Sequence, residues 1–488
     1  MKKSSNYFLC FYIMTVSFLS GCTPKTEEKA PHIVFILVDQ WRASALGYAG
    51  DPNVKTPNLD RLAYESLNFQ NAVSVIPVCT PYRASLMTGK YPTSTGMFLN
   101  DLYLPSEEYG LGEVLSDRGY ATAYIGKWHL DGHGRHAFIP PARRQGFEYW
   151  QAAECDHNYN NSHYYEGDSP EKKYWEGYDV FAQTKAAKDY MAEHQGKEKP
   201  FALFLSYGTP HFPHHTAPED LKQHYPIDSL HLPPNVPESM LQFAKEEAQG
   251  YYAHCEALDL AIGEILATLD SLGISDNTLL VFTSDHGEML GSHGVRPKAK
   301  QVPLAESARV PLLLRYRPLH GKVGKVIDTP ITTPDLFPTL FGILNLPIPD
   351  TYEGVNLSEV TSDESNYQDY AALYMQLAPF EKGEYGRPYR AIKTAKFTYV
   401  RSLDGPWLLF DDKSDPFQLR NLVGDPQYKE VLDQLDQRLW ELLAKVGDEF
   451  NPPQWYLDQW NLKPNAQGSI PYTEEGDLEP QMPFKRGT

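Results

Sequence analysis

The stretch His32-Ile33-Val34-Phe35-Ile36-Leu37-Val38 decides the fold of this chain, and it leads directly into Asp39-Gln40. After its first residue the stretch is a continuous apolar run, which is typical of a strand buried on both faces. Strands of that kind occur in parallel sheets that helices cover on both sides. The sequence therefore predicts a central strand whose carboxyl end presents two polar side chains, Asp39 and Gln40.

Four more apolar runs follow the same pattern, and three of them also end in polar residues. Residues 120–125 lead to Lys127 and His129, residues 201–205 to His211, residues 279–282 to Asp285 and His286, and residues 310–314 to no such group. Helical patterns, for example over residues 111–118 and 243–269, separate the runs. This alternation predicts an α/β fold with a large mixed, mostly parallel sheet sandwiched by helices. Ligands of such sheets bind beyond the carboxyl ends of the strands, so these polar residues are candidates for one site.

The pattern changes after Pro330. Residues 331–345 look helical, residues 346–387 are rich in turn-forming residues, residues 390–393, 397–400 and 407–410 alternate like short antiparallel strands, and residues 431–446 have helical spacing. Such a series is typical of a small antiparallel sheet covered by a helix. We therefore predict a main domain over residues 31–345 and a smaller C-terminal antiparallel-sheet-plus-helix subdomain with its tail over residues 346–488. From Asn451 onward the tail is expected to be a loop.

Composition and charge limit what the protein can bind. With 488 residues, 41% of them hydrophobic, the chain can bury a large core. Its formal net charge of −19 argues against nucleic acid as a partner and against a broad surface for an anionic polymer. An anionic substrate would therefore have to meet a small local cluster of cations.

The N-terminus has the pattern of an export signal. A positively charged start precedes an apolar run over residues 8–19, which is too short to span a bilayer as a mature helix. The next residues, Leu19-Ser20-Gly21-Cys22, resemble a bacterial lipobox. We expect residues 1–22 to be a lipoprotein signal peptide, a lipid anchor on Cys22 to be the membrane contact, and residues 23–30 to be a tether. The expected location is the periplasm or cell surface of a Gram-negative bacterium, and an ordinary signal peptide is the alternative.

The other cysteines do not form a disulfide pattern. Apart from Cys10 and Cys22 the chain has Cys79, Cys155 and Cys255. An odd number without regular spacing does not suit a disulfide scaffold in an exported protein. A cysteine is therefore available for chemistry.

Cys79 begins the stretch Cys79-Thr80-Pro81-Tyr82-Arg83-Ala84-Ser85-Leu86-Met87-Thr88-Gly89-Lys90. We expect Thr80 to cap a helix and Pro81 to take its first position. Cys79 would then lie just before the helix, where free N–H groups and the helix dipole favour negative charge, and Arg83 would add a cation. The stretch predicts a place that holds an anion beside a reactive side chain. The alternative is an ordinary buried cysteine before a surface helix.

The full pattern Cys-x-Pro-x-Arg-x-Ser-x-Met-Thr-Gly-Lys resembles the signature of the type I sulfatases of the alkaline phosphatase superfamily. The resemblance extends over residues 31 to roughly 320 and again over 388–425. It implies the alkaline phosphatase-like sulfatase fold and a catalytic main domain. In that family a maturase oxidises the cysteine to formylglycine, whose hydrated aldehyde is the nucleophile. The resemblance therefore implies this modification at Cys79.

A divalent ion is the second cofactor that the resemblance implies. Its ligands would be Asp39, Gln40, Asp285, His286 and residue 79. Carboxylate and amide oxygens suit Ca²⁺ or Mg²⁺, whereas the histidine favours a transition metal. The resemblance implies Ca²⁺ ahead of Mg²⁺ or Mn²⁺, although the family commonly has Asp at position 40 and Asn or Gln at position 286. An Asp-His pair at the second strand end also occurs in the related phosphonate monoester hydrolases, which keeps a phosphorus substrate open.

The resemblance also gives roles to the cations and histidines. Arg83 would hold the metal-bound nucleophile, Lys127 would bind the sulfuryl group, His129 would help to deprotonate the second hydroxyl of the hydrate, and His211 and Lys300 would protonate the leaving-group oxygen. Lys300 is placed by counting back from residues 306–311, which resemble a segment of the family. Lys298 is the alternative.

The segment 131–178 is dense in side chains that suit sugar recognition. These are His133, Arg135, His136, Arg143, Arg144, Trp150, His157, Tyr159, His163, Tyr164, Tyr165, Trp175 and Tyr178. Aromatic faces and hydrogen-bonding groups fit sugar rings, and the alternative is an ordered loop that packs on itself.

These observations together predict an exported enzyme that hydrolyses sulfate esters on a sulfated saccharide. By family habit the sugar would be galactose or N-acetylgalactosamine. The first alternative is a phosphonate or phosphate ester hydrolase of the same superfamily. The second is a non-catalytic glycan-binding lipoprotein, against which the intact Cys79, Arg83 and His/Lys set argues, because a binding protein needs no nucleophile.

Overall fold

The structure is a computed structural model of the 488-residue chain, and it describes residues 30–476 and 478–484. The expected signal peptide over residues 1–22, with Cys22 and its lipid anchor, lies outside the described residues, as does most of the tether. Among the described helices, none is both long and apolar enough to cross a membrane.

The described residues form sixteen strands and twelve α-helices. The strands are β1 (His32–Asp39), β2 (Leu67–Phe69), β3 (Ala72–Val73), β4 (Ala121–Lys127), β5 (Tyr149–Ala153), β6 (His163–Glu166), β7 (Lys173–Tyr174), β8 (Phe201–Pro210), β9 (Thr278–Ser284), β10 (Leu312–Arg315), β11 (Lys325–Ile327), β12 (Ile331–Thr332), β13 (Ala372–Gln376), β14 (Tyr389–Lys393), β15 (Phe397–Ser402) and β16 (Gly405–Asp411). The helices are α1 (Pro57–Tyr64), α2 (Cys79–Thr88), α3 (Pro92–Thr95), α4 (Leu111–Asp117), α5 (Asp179–His194), α6 (Glu219–Lys222), α7 (Leu241–Ser271), α8 (Ala305–Ala308), α9 (Arg317–His320), α10 (Leu336–Ile343), α11 (Lys429–Lys445) and α12 (Pro453–Gln459).

Ten of the strands form one large sheet in the order β11-β2-β10-β9-β1-β8-β4-β5-β6-β7. The five strands β9, β1, β8, β4 and β5 run parallel as one continuous block. Strands β10 and β6 run antiparallel to both of their neighbours. The prediction of a large mixed, mostly parallel sheet is confirmed.

The position of β1 in the middle of the sheet explains why residues 33–38 are all apolar. It pairs with β8 on one side and with β9 on the other. Its alternate side chains enter two different apolar clusters, Phe35 on one face and Val34 and Ile36 on the other. Helices α2, α4 and α10 contribute to the first cluster, and α1, α5 and α7 to the second. Because both faces are buried, a polar residue would be costly on either one.

The apolar run over residues 310–314 contributes most of β10, which ends at Arg315, and it is the one run without a polar cluster of the kind that follows the others. Strand β10 pairs antiparallel with β9. Its carboxyl end therefore points to the opposite edge of the sheet from the ends of β1, β4, β8 and β9. The direction of the strand therefore explains why its end adds no residue to the edge where the other polar residues lie.

The C-terminal part forms a second, antiparallel sheet in the order β13-β14-β15-β16. Helix α11 packs against β14 and β15, so the predicted antiparallel-sheet-plus-helix arrangement is confirmed. Ile392 and Tyr399 of this sheet belong to the same apolar cluster as Phe35 of the large sheet. The two sheets therefore share a core, and the predicted division at residues 345 and 346 stays a prediction.

Three elements differ from what the sequence suggested. The expected helix over residues 331–345 begins with the short strand β12, and α10 starts only at Leu336. Strand β13 lies inside the turn-rich segment, and helix α12 lies in the tail that was expected to be a loop. Helix α12 contains aromatic residues of modest helix propensity, but its Tyr456 is buried and accepts a hydrogen bond of 2.9 Å from Arg390. Tertiary contacts have outweighed local preference there.

Candidate active site

Polar residues from four parallel strands meet at one edge of the large sheet. Asp39 and Gln40 lie at the end of β1, Asp285 and His286 follow β9, Lys127 and His129 lie at the end of β4, His211 follows β8, Cys79 and Arg83 come from α2, and Lys300 comes from a loop. All ten side chains are buried. Charges at this depth are costly unless they are paired, so such a group points to a functional site.

Helix α2 begins earlier than the sequence suggested. Its N-cap is Val78, so Cys79 is the first helical residue and Pro81 the third. The expectation that Thr80 caps the helix is wrong, because its hydroxyl donates to the carbonyl oxygen of His129 over 3.1 Å instead. Pro81 is still tolerated, since N–H groups of the first turn have no partner within the helix. Cys79 therefore lies within the first turn, at the positive end of the helix dipole.

Cys79 is at the centre of the group. Its Sγ is 3.1 Å from Lys300 Nζ, 3.2 Å from His286 Nε2 and 3.6 Å from Asp39 Oδ1. Burial alone would raise the pKa of the thiol, but Lys300, Lys127 and His286 outweigh it and hold that pKa well below its usual range. The surroundings thus stabilise negative charge on the side chain of residue 79.

Asp39, Cys79, Asp285 and His286 form a candidate metal centre, because one possible ligand atom of each lies within 4.8 Å of the others. Burial and Cys79 would raise the pKa of Asp39, but Lys127 and the neighbouring histidines hold it below its usual range. Burial and the nearby Asp39 raise the pKa of Asp285 to about 6. Two carboxylates this close repel each other, so a cation between them would be stabilising. The donor chemistry suits a divalent ion.

Gln40 also fits a metal centre. Its side-chain nitrogen donates to Glu288, and its backbone N–H donates to Asp285 Oδ1 over 3.0 Å. Its Oε1 is buried and has no hydrogen-bond partner. Leaving a buried acceptor unsatisfied is unfavourable, and a bound cation would satisfy it. The backbone of Gln40 also has φ of 69°, a conformation that such residues rarely adopt outside sites where the surroundings enforce it.

Two fixed cations balance the carboxylates. Lys127 Nζ is 2.6 Å from Asp39 Oδ2, and Arg83 Nη2 is 3.2 Å from Asp285 Oδ2. Arg83 Nη1 also donates to the hydroxyl of Ser206 and to the carbonyl oxygen of Lys127, each over 2.8 Å. Burial lowers the pKa of both cations, but the carboxylates outweigh it and raise each pKa above its usual range. Both side chains therefore stay charged and supply the local positive potential that an anionic substrate needs.

Lys300 and His211 face each other beside Cys79. Lys300 Nζ lies 3.1 Å from His211 Nε2. His211 Nδ1 donates to the carbonyl oxygen of Phe212 over 2.8 Å, so Nε2 carries the lone pair. Burial and Lys300 lower the pKa of His211 well below its usual range. His211 is therefore the neutral member of the pair, and its Nε2 can accept a hydrogen bond from Lys300.

The structure separates the two candidate lysines. Lys298 Nζ is 2.7 Å from Glu247, and its backbone N–H donates to Glu288. Lys298 and Gln301 both have positive φ, so the loop turns sharply and the two lysines contact different partners. Lys300, rather than Lys298, is the lysine beside Cys79.

His129 contacts Asp101, which in turn binds Arg135, and the sequence did not predict that these three residues interact. Its Nε2 is 3.2 Å from Asp101 Oδ1, and Arg135 donates to both oxygens of Asp101 over 3.0 and 3.1 Å. Burial lowers the pKa of His129, but the Cys155 side chain and the hydrogen bond to Asp101 outweigh it and raise that pKa to about 9. Asp101 follows the Cys79 stretch without any local pattern, so the sequence offered no signal for it.

Glu154 is a second residue that the sequence analysis missed. It accepts hydrogen bonds from the N–H groups of Leu130, Asp131 and Gly132 over 2.8 to 3.1 Å, and it thereby holds the loop after His129. Burial and the nearby Asp131 raise the pKa of Glu154 to about 7. A signal for this residue was available, because Glu154 directly follows the parallel strand β5.

Some residues of the segment 131–178 pack within the protein, whereas others are placed where they could contact a sugar. Trp150, Tyr159, Tyr165, Trp175 and Tyr178 are buried and pack within the protein. Arg135, His136 and His157 instead line a cavity of about 420 Å³ together with Glu474. The ring of His157 stacks on that of His211 with centroids 4.6 Å apart. The cavity therefore adjoins the candidate active site and is the candidate place for the rest of a substrate.

Comparison with known proteins agrees with this geometry. The sequence model of the family described as Sulfatase matches residues 31–346, and that of N-sulphoglucosamine sulphohydrolase, C-terminal, matches residues 291–445. The chain is 50% identical over 461 residues to an ulvan-active sulfatase of Formosa agariphila, which covers 94% of this chain and 90% of that protein. A Bacteroides fragilis structure described as the sulfatase yidJ matches with a TM-score of 0.78 and 28% identity, covering 89% of this chain and all of that one.

The phosphonate monoester hydrolases are more distant. The enzyme of Agrobacterium radiobacter matches with a TM-score of 0.66 and 21% identity, over 85% of this chain and 96% of that one. At that level of identity the likeness shows a shared fold alone.

Proposed function

The chain belongs to the sulfatase family and hydrolyses sulfate esters, and we propose that it removes sulfate from an ulvan-type polysaccharide with a formylglycine made from Cys79 and one divalent ion. The substrate is proposed from the ulvan-active relative, which is half identical to this chain. The substrate panel described below also includes saccharides with the galactose-type unit that is common among substrates of the family.

One observation supports the mechanism most strongly. The Cys79 sulfur lies within 3.6 Å of an ammonium, an imidazole and a carboxylate that come from three other segments of the chain. A cysteine that served only packing would lie among apolar neighbours, where its thiol would stay neutral.

The cofactors supply the reacting groups, and the chain orients them. Formylglycine supplies a nucleophilic hydroxyl, and the ion, which we propose to be Ca²⁺, supplies a Lewis acid. Asp39, Gln40, Asp285, His286 and residue 79 would hold the ion. Lys127 would bind the sulfuryl oxygens, since its ammonium lies beside Asp39 at the edge of the centre. Arg83 would hold residue 79 through charge, because hydrogen bonds to Ser206 and a backbone carbonyl fix its guanidinium.

Lys300 and His211 would protonate the leaving oxygen. A sugar alkoxide is a poor leaving group, so S–O cleavage needs a proton as charge develops on that oxygen. Lys300 Nζ is 3.1 Å from both Cys79 Sγ and His211 Nε2, so a proton carried by this pair would be within reach of a leaving oxygen beside residue 79. The pair is therefore the proposed acid. His129, oriented by Asp101, would accept the proton that the second hydroxyl of residue 79 loses as sulfate leaves.

Two modifications of the chain belong to the same proposal. A maturase would convert Cys79 to formylglycine, and a lipid on Cys22 would anchor the exported protein. Mass spectrometry of protein from the native membrane fraction tests both, since the peptides that contain residues 22 and 79 should carry a lipid and an aldehyde respectively. An unmodified thiol at position 79 in fully active enzyme would contradict the first step.

A substrate panel tests the proposed function. Matured protein is offered ulvan oligosaccharides, sulfated galactose-type saccharides, nitrophenyl sulfate and phosphonate monoesters, and the release of sulfate or phosphonate is measured. We expect the highest kcat/KM on ulvan oligosaccharides and no release by unmatured protein. A phosphonate monoester that is cleaved better than every sulfate ester would favour the alternative hydrolase.

A further inference from the structure

A second cavity, with a volume of about 420 Å³, lies where the loop after β1, the segment 231–234, helix α8 and the loop after β16 meet. In the described part of the chain, no residue lines both this cavity and the one beside His211. Its walls are mostly apolar, and a few polar side chains point to specific contacts, a combination that is typical of a small-molecule site. The mechanism proposed above does not use this cavity.

Arg42 is a charged residue of this cavity that lacks a partner. Only 3% of the residue is exposed, and none of the described residues forms a hydrogen bond with its Nε or Nη1. Burial lowers the pKa of Arg42, but the nearby Tyr252 and Glu306 outweigh it and raise that pKa above its usual range. The guanidinium therefore stays charged. A buried charge without hydrogen bonds is costly, so an anionic group in the cavity would stabilise it.

Glu306 lines the same cavity and has an unused acceptor. Its Oε1 accepts a hydrogen bond of 2.6 Å from Asn235. Its Oε2 is buried without a hydrogen-bond partner and lies 3.8 Å from His293 Nε2. A hydroxyl group of a ligand could donate to this oxygen.

The apolar part of the wall suits the CH face of a sugar ring, which packs well on aromatic and other apolar surfaces. It is formed by Leu232, Pro233, Pro234, Pro416 and Phe417. The cavity therefore offers a cation, a hydrogen-bond acceptor and an apolar face at one place.

A further cavity of about 350 Å³ extends this one. The two share Ala43, Ala49, Arg309 and Pro416, and we call them together the cleft. Arg309 lies at the junction, where its Nη2 donates to the carbonyl oxygen of Gln70 over 2.8 Å and its Nε is buried without a partner. Amide and charged residues line the added part, namely Asn68, Gln70, Asn71, Asp328, Asp412 and Lys413. The cleft therefore has room and hydrogen-bonding groups for more than one sugar ring.

We propose that the cleft binds an acidic saccharide, with a carboxylate or sulfate group at Arg42 and a hydroxyl group at Glu306. A guanidinium is planar and can bind two oxygens of such an anionic group at once. A neutral sugar would leave Arg42 without a counter-charge, and a small inorganic anion would leave Glu306 Oε2 and the apolar wall unused. An acidic saccharide satisfies all three features.

The saccharide would be a part of the substrate chain that the candidate active site does not hold. Binding at two places keeps a long chain close to the enzyme between cleavage events. This consequence rests on the proposed function, whereas binding in the cleft does not.

Calorimetric titration of unmatured protein tests the site, because this protein cleaves none of the probes. The probes are tetrasaccharides of galacturonic acid, of sulfated galactose and of unsulfated galactose. Arg42→Met keeps the apolar stem of the side chain and removes its charge. It should lose ~10- to 100-fold in affinity for an acidic tetrasaccharide, the range expected for a hydrogen bond to a charged group. The unsulfated galactose probe should bind more weakly, and equally to both proteins.

The two acidic probes distinguish the sources of the anionic group. A loss with the galacturonic acid probe identifies a carboxylate, and a loss with the sulfated probe identifies a sulfate group. Equal affinity of wild type and Arg42→Met for both acidic probes overturns the proposal, and so does the absence of binding to wild type. Water alone would then fill the cleft.

Phe417→Ala provides a second reading if circular dichroism shows that Arg42→Met is unfolded. Phe417 lines the cavity and is 39% exposed, so the truncation should leave the fold intact. We expect a loss of about 2- to 10-fold in affinity, as for one aromatic contact. Leu419→Ala is the matched control, because Leu419 is an exposed apolar residue of the same loop outside the cleft, and it should bind like wild type. Wild-type affinity in Phe417→Ala would contradict the proposed apolar contact.

Kinetics of matured protein test the link to the substrate. Arg42→Met should raise KM for a long ulvan oligosaccharide more than KM for nitrophenyl sulfate, which is too small to reach two sites. An equal change in both KM values, with saccharide binding confirmed by calorimetry, would show that the cleft holds a saccharide other than the substrate chain. Failure of the proposed function is distinguishable, since matured wild type would then release no sulfate while the unmatured protein still bound the probes.

Discussion

The buried charges of the C-terminal sheet and those of the candidate active site differ in how completely they are paired. In the C-terminal sheet, Arg390 binds Asp448, and its remaining N–H groups reach the Tyr456 hydroxyl and two backbone carbonyls. Asp448 accepts further hydrogen bonds from Tyr456 and from the N–H of Phe450. Every side-chain polar atom of Arg390 and Asp448 thus has a partner within the protein.

The candidate active site leaves polar atoms unpaired at the same depth. Gln40 Oε1, Arg83 Nε and His129 Nδ1 are buried without a hydrogen-bond partner. An unsatisfied buried polar group costs about 1–3 kcal/mol, so natural proteins keep few of them. A buried charge by itself therefore does not mark function, whereas charges from several segments that converge on one reactive side chain do. Substitutions should therefore affect activity at one group and stability at the other.

The largest effect is expected at Cys79. Cys79→Ala removes the precursor of the nucleophile, and losing a nucleophile costs on the order of 10⁶-fold in turnover. The melting temperature of the Cys79→Ala variant should stay close to that of wild type. Cys255→Ala is the matched control, because Cys255 is also buried but lies in α7 within an apolar cluster. Sulfate release should vanish in the first variant and persist in the second, and the opposite result would refute a catalytic role of residue 79.

Asp285→Ala should remove the ion and the activity together. The Asp285 carboxylate is a proposed metal ligand and pairs with Arg83. The variant therefore lacks one ligand of the divalent ion and leaves the Arg83 guanidinium without that carboxylate. Metal content by mass spectrometry and kcat are measured on the same sample. Asp259→Ala is the control, since Asp259 is equally buried but accepts N–H groups at the start of α1. Asp259→Ala should lose stability but keep its divalent ion. Full activity of wild-type protein from which a chelator has removed the ion would contradict the proposal.

The acid pair should show a smaller, substrate-dependent effect. General acid catalysis contributes about 10²- to 10⁴-fold, and a sugar needs it far more than nitrophenolate does. His211→Ala and Lys300→Ala should therefore cut kcat/KM on a sulfated saccharide much more than on nitrophenyl sulfate. Lys127→Ala should cut both about equally, and Lys298→Ala should change neither strongly. If His211→Ala loses the same factor on the two substrates, it is not the leaving-group acid.

Asp448→Ala should lower the stability of the protein and leave its activity nearly unchanged. The variant leaves Arg390 buried without its carboxylate, and breaking such a pair costs about 3–5 kcal/mol of unfolding free energy. Denaturant unfolding measures the loss, and kcat of the folded fraction should stay near wild type. Asp436→Ala is the control, because its pair with Arg401 is partly exposed and contributes about 1 kcal/mol or less. A large fall in kcat for folded Asp448→Ala would show that the two groups are coupled.

The smallest expected effect is a pH dependence of stability. Burial would raise the pKa of Asp448, but Arg390 holds it below its usual range. A carboxyl whose folded-state pKa is lowered stabilises the fold above its unfolded pKa, and that part is lost as pH falls through the folded value. Unfolding free energy of wild type should therefore fall below about pH 4 more steeply than that of Asp448→Asn. Equal slopes in the two proteins would contradict the lowered pKa.

The large sheet and the position of the site could be predicted from local sequence patterns. Apolar runs such as the one before Asp39 have a periodicity that local sequence records, and parallel strands present their carboxyl ends at one edge. The residues at those ends could therefore be grouped before any contact was known. The Cys79 stretch suggested the chemistry through its resemblance to the sulfatase signature, which can be recognised because the stretch is continuous in sequence.

The residues that support the site could not be predicted, because they meet only when the chain is folded. The choice between Lys298 and Lys300, the link from Asp101 to His129, and the pairing of His136 with Glu474 depend on the paths of loops. These partners are separated by up to several hundred residues, and loops have no repeating pattern from which a path can be read. The start of α2 followed the same rule, since the Thr80 hydroxyl bonds to a distant carbonyl instead of capping its own helix. Local sequence determines elements with a regular period, whereas contacts between irregular segments are determined only when the whole chain packs.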